Sequence, residues 1–263
     1  MSKMKLNAKQ IALISVFSAL QFVISRLPGI PVMGVTEGKI EPQLILMPAI
    51  GMILGPWVGG IAAFIGNFIA WLIPDTTFFG MLMLPTVPIG TIVCGALSRR
   101  SSRSNWKVAA LILAVLNCLW YLSPPGFLVP YYPFLHLSAL ALILVFRDRI
   151  HGFISGNNKR KFIIGVTIAS FSGVMANHMM GNLIFIGAVN WFVQLKGIKD
   201  ALVSLGFSWL KSGLPKNDPT GLGTIFYIFL PIAVVERIII TVIASLICAG
   251  IFHALKRSGI IEI

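Results

Sequence analysis

Several polar side chains with ligand-binding chemistry lie within long apolar stretches of this sequence. A polar or charged group in such a stretch is costly unless it is paired or faces a cavity. Amide, imidazole and carboxylate groups, together with an aromatic ring for stacking, suit a polar heteroaromatic ligand. The candidate substrate-binding residues within the stretches are Tyr121, Asn177, His178, Asn182, Glu236 and Arg237.

Simpler explanations exist for the same residues. A lone amide in an apolar helix commonly hydrogen-bonds a neighbouring helix, and Glu236 with Arg237 suits an interfacial salt bridge. Because adjacent helical residues point about 100° apart, Glu236 and Arg237 are not an ideal pair for each other, and each could face a different neighbour or a ligand. His136 and His178 leave a bis-histidine haem pair as an alternative. The three cysteines have no metal-binding spacing, so we predict no cofactor and no metal site.

The elements that must position these side chains are helices of membrane-spanning length. Hydrophobic residues make up 57% of the 263 residues, charged residues make up 11%, and the mean hydropathy is +0.90. A helix needs about 20 apolar residues to cross a bilayer. The sequence therefore predicts an all-α polytopic membrane helix bundle that forms a single integral membrane domain, 1–263. Its eight or so spans lie near 9–27, 42–55, 57–74, 79–98, 107–122, 127–146, 162–190 and 224–255.

Basic residues in the short connections predict the orientation. Lys and Arg cluster at the N-terminus, at 99–107, at 147–161 and at the C-terminus, and eight spans place all four clusters on one side. By the positive-inside rule both termini are cytoplasmic, and the protein is a multi-pass protein of the plasma membrane. The net charge of +13 is then mostly a topology signal with affinity for the lipid bilayer, and no nucleic-acid partner is expected.

The connection at 28–41 lies on the opposite, outer side. It carries Glu37 and Glu41 among two prolines and three glycines, which is typical of a lid with defined hinges. We expect the ligand to bind in the outer half of the bundle beneath this connection. Glu37 or Glu41 would complete the substrate site through a charge-assisted hydrogen bond.

Small residues form a strip along the first span. Ala8, Ala12, Ser15 and Ala19 follow one another at i, i+4, i+7 and i+11, which places them on one helix face. Helices in lipid associate where small residues let their backbones approach. The strip is either an internal packing face or a docking surface for another membrane protein.

Several segments resemble the substrate-binding subunit (S component) of energy-coupling-factor (ECF) transporters. The first helix, KQIALISVFSAL, has an Ala-rich strip, and an outer loop with Pro and Gly follows, LPGIPVMG. Next come a helix pair with a Gly-Pro-x-x-Gly turn, GMILGPWVGGIAAFIGN, and a helix that ends in a basic loop, LPTVPIGTIVCGALSRR. The last helix, PIAVVERIIITVIASLICAGIFHALKR, is also similar.

The resemblance implies a six-helix core, and the remaining pair of spans, between 107 and 222, makes this chain an enlarged variant. It also implies an activity: the S component captures a vitamin-like micronutrient, and a membrane coupling subunit and two ATPase subunits drive its import. The chain itself has no G-x-x-x-x-G-K-[ST] loop for ATP phosphates.

A substrate-capture subunit of an ATP-driven importer is thus the function predicted from the sequence. A self-sufficient secondary transporter is the alternative, although its acidic residues lie near the membrane edges rather than at mid-depth. An intramembrane enzyme is a lesser alternative. The sequence lacks H-E-x-x-H and G-x-S-x-G motifs, so we predict that the protein is not an enzyme.

Overall fold

The computed structural model describes residues 7–31, 39–40, 42–73, 77–98, 105–189, 191, 196, 199–200, 203, 206–207, 216–218 and 220–257. Within these residues eleven helices have defined bounds: α1 Ala8–Ser25, α2 Gln43–Leu54, α3 Pro56–Leu72, α4 Phe78–Met83, α5 Thr86–Ser98, α6 Asn105–Tyr121, α7 Pro124–Leu128, α8 Phe134–Phe146, α9 Arg149–Ser155, α10 Lys159–Ala188 and α11 Leu222–Arg257. Two short strands, β1 Ile30–Pro31 and β2 Lys39–Ile40, pair antiparallel at the two ends of the 28–41 connection.

The helical fold class predicted from the sequence is confirmed. Each of the eight predicted stretches falls on an apolar helix of the described residues. Three helical stretches are long and apolar enough to cross a membrane: Phe78–Ser98, which comprises α4 and α5, Lys159–Ala188 and Leu222–Leu255. Five shorter apolar helices accompany them, Gln10–Ser25, Gln43–Leu54, Pro56–Leu72, Asn105–Tyr121 and Phe134–Phe146. The number of crossings and the side of the termini stay predictions.

Prolines account for the two places where the predicted spans differ from the helices. The stretch at 79–98 is divided at Leu84 and Pro85 into α4 and α5, since proline cannot donate the backbone hydrogen bond that a continuous helix needs. The stretch at 127–146 becomes helical as α8 only from Phe134, because Pro130 and Pro133 precede it. Helix α9 was not predicted, and it is too short to cross a membrane.

Small residues bring the central helices α2, α3, α5 and α10 into close contact. We call this the glycine seam; it consists of Gly51, Gly59, Gly90, Gly95 and Gly173. A Cβ atom on Gly90 would lie 2.7 Å from the carbonyl oxygen of Gly173, and one on Gly173 would lie 2.8 Å from that of Gly90. The thiol of Cys94 donates to the carbonyl of Ala169 at 3.2 Å across the same contact. Backbones therefore approach where side chains are absent, as expected for helices in lipid.

A single residue, Gly55, connects α2 to α3. Its φ of 84° lies in the left-handed region that glycine adopts without a steric penalty. A Cβ on Gly59 would lie 3.2 Å from the Cα of Gly51, so the two helices fold back against each other beside this turn. The predicted tight helix pair is confirmed.

Helix α1 packs at the edge of the bundle, against α3. The hydroxyl of Ser18 donates to the carbonyl of Ala62 at 2.9 Å, and Gln21 is fully buried beside Gly66. Ile14 and Phe17 are also buried, whereas Val16 and Val23 are 60% and 57% exposed. One face of α1 thus belongs to the core, and the opposite face is free within the described residues.

Candidate functional site

Two histidines from different helices meet in the described part of the bundle. One ring nitrogen of His136 on α8, Nε2, lies 3.2 Å from Nδ1 of His178 on α10. Their rings are stacked, with centroids 5.2 Å apart and an interplanar angle of 21°. A hydrogen bond between these nitrogens requires that at least one of them carries no proton. The two imidazoles are therefore partners of each other, and their direct contact leaves no room for a haem between them.

An aromatic stack adjoins this histidine pair. Tyr132 stacks on Trp120 with centroids 4.6 Å apart, and its ring lies 6.3 Å from each imidazole. Phe226 of α11 meets Trp120 and Tyr132 edge-on, at 4.9 and 5.0 Å. We call the five residues and Asn182 the histidine–aromatic cluster. Edge-on and offset arrangements of this kind are the favourable ones for aromatic pairs.

The amide of Asn182 belongs to the same cluster. Its Nδ2 donates to the hydroxyl oxygen of Tyr132 at 3.2 Å. His178, Asn182 and Phe185 follow at i, i+4 and i+7 on α10, so one helix face supplies all three. Phe185 lies 6.0 Å from Phe226 and closes the cluster toward α11.

Glu236 and Arg237 form an ion pair with each other. The Nη2 atom of Arg237 donates to Oε1 of Glu236 at 2.6 Å, and the side chains are 11% and 16% exposed for Arg237 and Glu236 respectively. Of the two explanations that the sequence left open, the structure therefore has the salt bridge, although adjacent helical residues are not an ideal pair. Both side chains are long enough to turn toward each other over the 100° between them, and an unpaired charge at this burial would be costly.

The ion pair lies near the histidine–aromatic cluster. Arg237 is close enough to interact electrostatically with His136, His178 and the phenol of Tyr132, and Glu236 acts on the same phenol. Four of the predicted substrate-binding residues therefore occupy one neighbourhood: His178 and Asn182 within the cluster, with Glu236 and Arg237 beside it.

Several buried polar atoms of this neighbourhood have no hydrogen-bond partner among the described residues. They are Nδ1 of His136, Nε1 of Trp120 and Nε of Arg237. Buried polar groups in proteins are nearly always hydrogen-bonded, so each of these atoms calls for a water or a ligand. Two donors and an imidazole nitrogen next to stacked rings are suited to a planar ligand with polar edges.

A buried carboxylate fixes the start of the helix that carries Phe226. Oδ2 of Asp218 accepts from the backbone N–H of Thr224 at 2.6 Å and from its hydroxyl at 2.8 Å. Asp218 is 3% exposed. Capping of this kind satisfies the free N–H groups at a helix start and fixes where the first turns lie.

Two of the predicted substrate-binding residues lie apart from the cluster. Tyr121 is exposed, and its hydroxyl donates to the carbonyl of Pro130 at 3.1 Å. Asn177 is buried one turn beyond Gly173, on the side of α10 that faces α5. Glu37 and Glu41 lie outside the described residues, so their proposed role stays a prediction.

Sequence reasoning missed Trp120, Tyr132 and Phe226, and it considered His136 only for haem. The segment Tyr131 to His136 carries two tyrosines, a phenylalanine and a histidine directly after Pro130, and this density of rings was the available signal. Among the described residues, no group of three His, Cys, Asp or Glu side chains could hold a metal ion.

The small-residue strip of α1 points away from the rest of the bundle. Ala8, Ala12, Ser15 and Ala19 are all exposed, while the opposite face packs on α3. We call these four residues the docking strip.

Comparisons with known proteins agree with the membrane fold. The family model of the ECF-type riboflavin transporter, S component, matches residues 5–148, more than half of the chain. An uncharacterized protein of Methanocaldococcus jannaschii is 36% identical over 147 residues, which are 56% of this chain and 48% of the relative. The chain thus spans about half the length of this curated relative. No solved structure gives a significant match.

The matched region runs from α1 through α8, so it includes the docking strip, most of the glycine seam, and Trp120, Tyr132 and His136 of the cluster. The family consists of membrane-embedded subunits that bind substrate for a transporter, and it is not a family of enzymes. This chain belongs to the ECF transporter S-component family.

Proposed function

We propose that this protein captures a vitamin-like micronutrient at the histidine–aromatic cluster and delivers it to an ATP-driven import complex in the plasma membrane. The observation that carries the proposal is the buried set of polar atoms without partners, His136 Nδ1, Trp120 Nε1 and Arg237 Nε, placed beside stacked rings. Membership of the S-component family supports the same function.

The chemistry of the cluster favours a planar heteroaromatic ligand. Tyr132 and Trp120 offer ring faces, and Asn182 and the two histidines offer hydrogen-bonding edges. The Glu236–Arg237 pair carries no net charge, which suits a neutral ligand. The matched family model is described as a riboflavin transporter component, and riboflavin is therefore the first ligand to test.

Coupling to ATP hydrolysis requires other chains. We propose that the docking strip contacts a membrane coupling subunit, which associates with two ATPase subunits. The exposure of Ala8, Ala12, Ser15 and Ala19 supports this proposal, because an internal packing face would be covered by the bundle.

Uptake by cells tests the proposed function. The chain is expressed alone and together with an ECF coupling subunit and its ATPase pair, and entry of labelled riboflavin and other planar vitamins is measured. We expect uptake only in the presence of the complete complex, and loss of that uptake when the ATPase catalytic glutamates are replaced. Uptake by the chain alone that collapses with a proton or sodium ionophore would contradict the proposal and identify a secondary transporter.

A further inference from the structure

A group of basic side chains covers one end of the bundle, where α5 and α8 end and α6 and α10 begin. The basic patch consists of Lys107, Arg147, Arg149, Lys159, Arg160 and Lys161, all of them exposed. Asp148 is the one carboxylate in the sequence from 105 to 161. The patch therefore carries a large excess of positive charge over a short stretch of surface.

Contacts between the helix ends hold the patch together. The guanidinium of Arg147 lies 5.6 Å above the ring of Trp106, joining the end of α8 to the start of α6. A ring nitrogen of His151 on α9, Nδ1, is 2.7 Å from the carbonyl oxygen of Ser98 at the end of α5. A Cβ on Gly165 would lie 2.9 Å from Ile154, so α9 also packs on the early part of α10.

The positive charges of the patch are not neutralised within the described residues. No salt bridge there involves any of the six side chains. Lys159, Arg160 and Lys161 occupy the first turn of α10, which contains no acidic residue. The N-terminal end of a helix already carries a partial positive charge, so these three cations are in an unfavourable position unless an anion lies nearby.

Arg147 adopts a backbone conformation that non-glycine residues rarely accept, with φ 37° and ψ −117°. Its Nε donates to the carbonyl of Leu144 at 2.9 Å, and its guanidinium is held over Trp106. Strained conformations persist where surrounding contacts enforce them, and they are commoner at functional sites. Here the contacts fix one positive charge at the edge of α8.

Apolar side chains extend from the patch along the same helices. Val145 on α8 is 68% exposed, and Ile163 on α10 is 56% exposed. Leu144 and Ile164 are also exposed beside them. A ligand with an anionic head and an apolar tail would contact both surfaces at once.

We propose that the basic patch binds the phosphate headgroup of an anionic phospholipid, whose acyl chains lie along the exposed apolar faces of α8 and α10. Charge complementarity selects the headgroup, and the adjoining apolar surface distinguishes a lipid from a free phosphate. This site is separate from the histidine–aromatic cluster, and the inference does not depend on the identity of the transported ligand.

Lipid titration of the full chain tests this inference. The protein in a neutral detergent is titrated with phosphatidylglycerol, phosphatidylcholine or glycerol phosphate, and bound lipid is counted by native mass spectrometry. We expect tighter binding of phosphatidylglycerol than of phosphatidylcholine, and no competition by glycerol phosphate at equal concentration. Because each basic residue near an anionic lipid surface contributes about 1 kcal/mol, Arg149→Gln with Arg160→Gln should weaken phosphatidylglycerol binding roughly thirtyfold.

The chain offers a matched control in Lys196→Gln with Lys216→Gln, which removes two exposed positive charges between α10 and α11. This control should bind phosphatidylglycerol as the wild type does. Equal binding of the two lipids, wild-type affinity in the Arg149 and Arg160 variant, or an equal loss in the control would overturn the proposal. If the Arg149 and Arg160 variant does not fold, the same lipid titration of the wild type in 0.5 M salt tests the site instead. The lipid preference must then fall sharply, and a preference that salt leaves unchanged would reject the site.

Discussion

Helix α10 runs through two regions that are built on opposite principles. In the glycine seam, Gly173 meets Gly90 so closely that even a Cβ atom would collide with backbone. In the histidine–aromatic cluster, His178 and Asn182 meet large rings, and neighbouring polar atoms lack partners among the described residues. The difference teaches that small residues on this helix build the scaffold, whereas its large polar residues gather the hydrogen-bonding groups that we propose receive the ligand.

The seam should be the more sensitive region to a change in size. Gly173→Leu would push a side chain into the backbone of α5, and because the contact is with backbone we expect a cost at the upper end of the range for overpacking, about 3 kcal/mol. We expect the variant to lose its folded, monodisperse form in size-exclusion chromatography and thermal unfolding. Gly187→Leu is the control, because α10 is exposed there and open space surrounds the position. If Gly173→Leu unfolds at the wild-type temperature, the seam is not what holds α5 against α10.

Much of the scaffold could be predicted from the sequence, because apolar length is a direct consequence of the membrane as solvent. All eight predicted stretches lie on helices, and their limits differ from the helices mainly at Pro85, Pro130 and Pro133. Helix α9 escaped prediction because it is short and half polar, so its pattern differs little from that of a basic loop.

The site was harder to predict, because it depends on which way individual side chains point. Tyr121 was chosen from the sequence, but its neighbour Trp120 is the fully buried ring of the cluster. One residue changes the direction by about 100° on a helix, and only the packing of α6 against the other helices decides between the two. The pairing of Glu236 with Arg237 depended in the same way on side-chain rotamers.

Removing one charge of the Glu236–Arg237 ion pair should lower the free energy of unfolding. Arg237→Gln would leave the carboxylate of Glu236 without its partner, and breaking one side of a buried ion pair costs about 3 kcal/mol. The double variant Glu236→Gln with Arg237→Gln removes both charges and should be much closer to the wild type in unfolding stability. A double variant as unstable as Arg237→Gln alone would mean that the pair acts through other contacts.

Loss of an amide from the cluster should have a moderate effect on ligand affinity. Asn182→Ala removes the donor to Tyr132 and one hydrogen-bonding group of the site, at a cost of about 1–2 kcal/mol, or roughly five- to thirtyfold in Kd. Tyr121→Phe, which removes an exposed hydroxyl outside the cluster, should leave Kd unchanged. Calorimetric titration of both variants compares the two. A larger effect at Tyr121 would move the site toward the exposed side of α6.

Substitutions in the docking strip should leave ligand affinity unchanged. Ala12→Leu with Ala19→Leu adds bulk to an exposed face, so stability and Kd of the isolated protein should match the wild type. Transport should nevertheless fall, because the partner helix can no longer approach. Val115→Leu with Val242→Leu is the control, because it adds bulk to exposed faces of α6 and α11 away from the strip. Full transport in the Ala12 and Ala19 variant would exclude the strip as the docking surface.

The most direct test of the ligand site is the equilibrium affinity of riboflavin and related planar vitamins for the purified protein, with and without the histidine pair. The wild type should bind at least one of these vitamins with a micromolar or lower Kd. The variant His136→Leu with His178→Leu removes the paired imidazoles but keeps apolar packing. Its affinity for the vitamin should fall at least about a hundredfold, which corresponds to about 2.7 kcal/mol. Its unfolding temperature should stay near that of the wild type. Unchanged affinity in this folded variant, or no binding of any planar vitamin by the wild type, would contradict the assignment of the ligand site to the histidine–aromatic cluster.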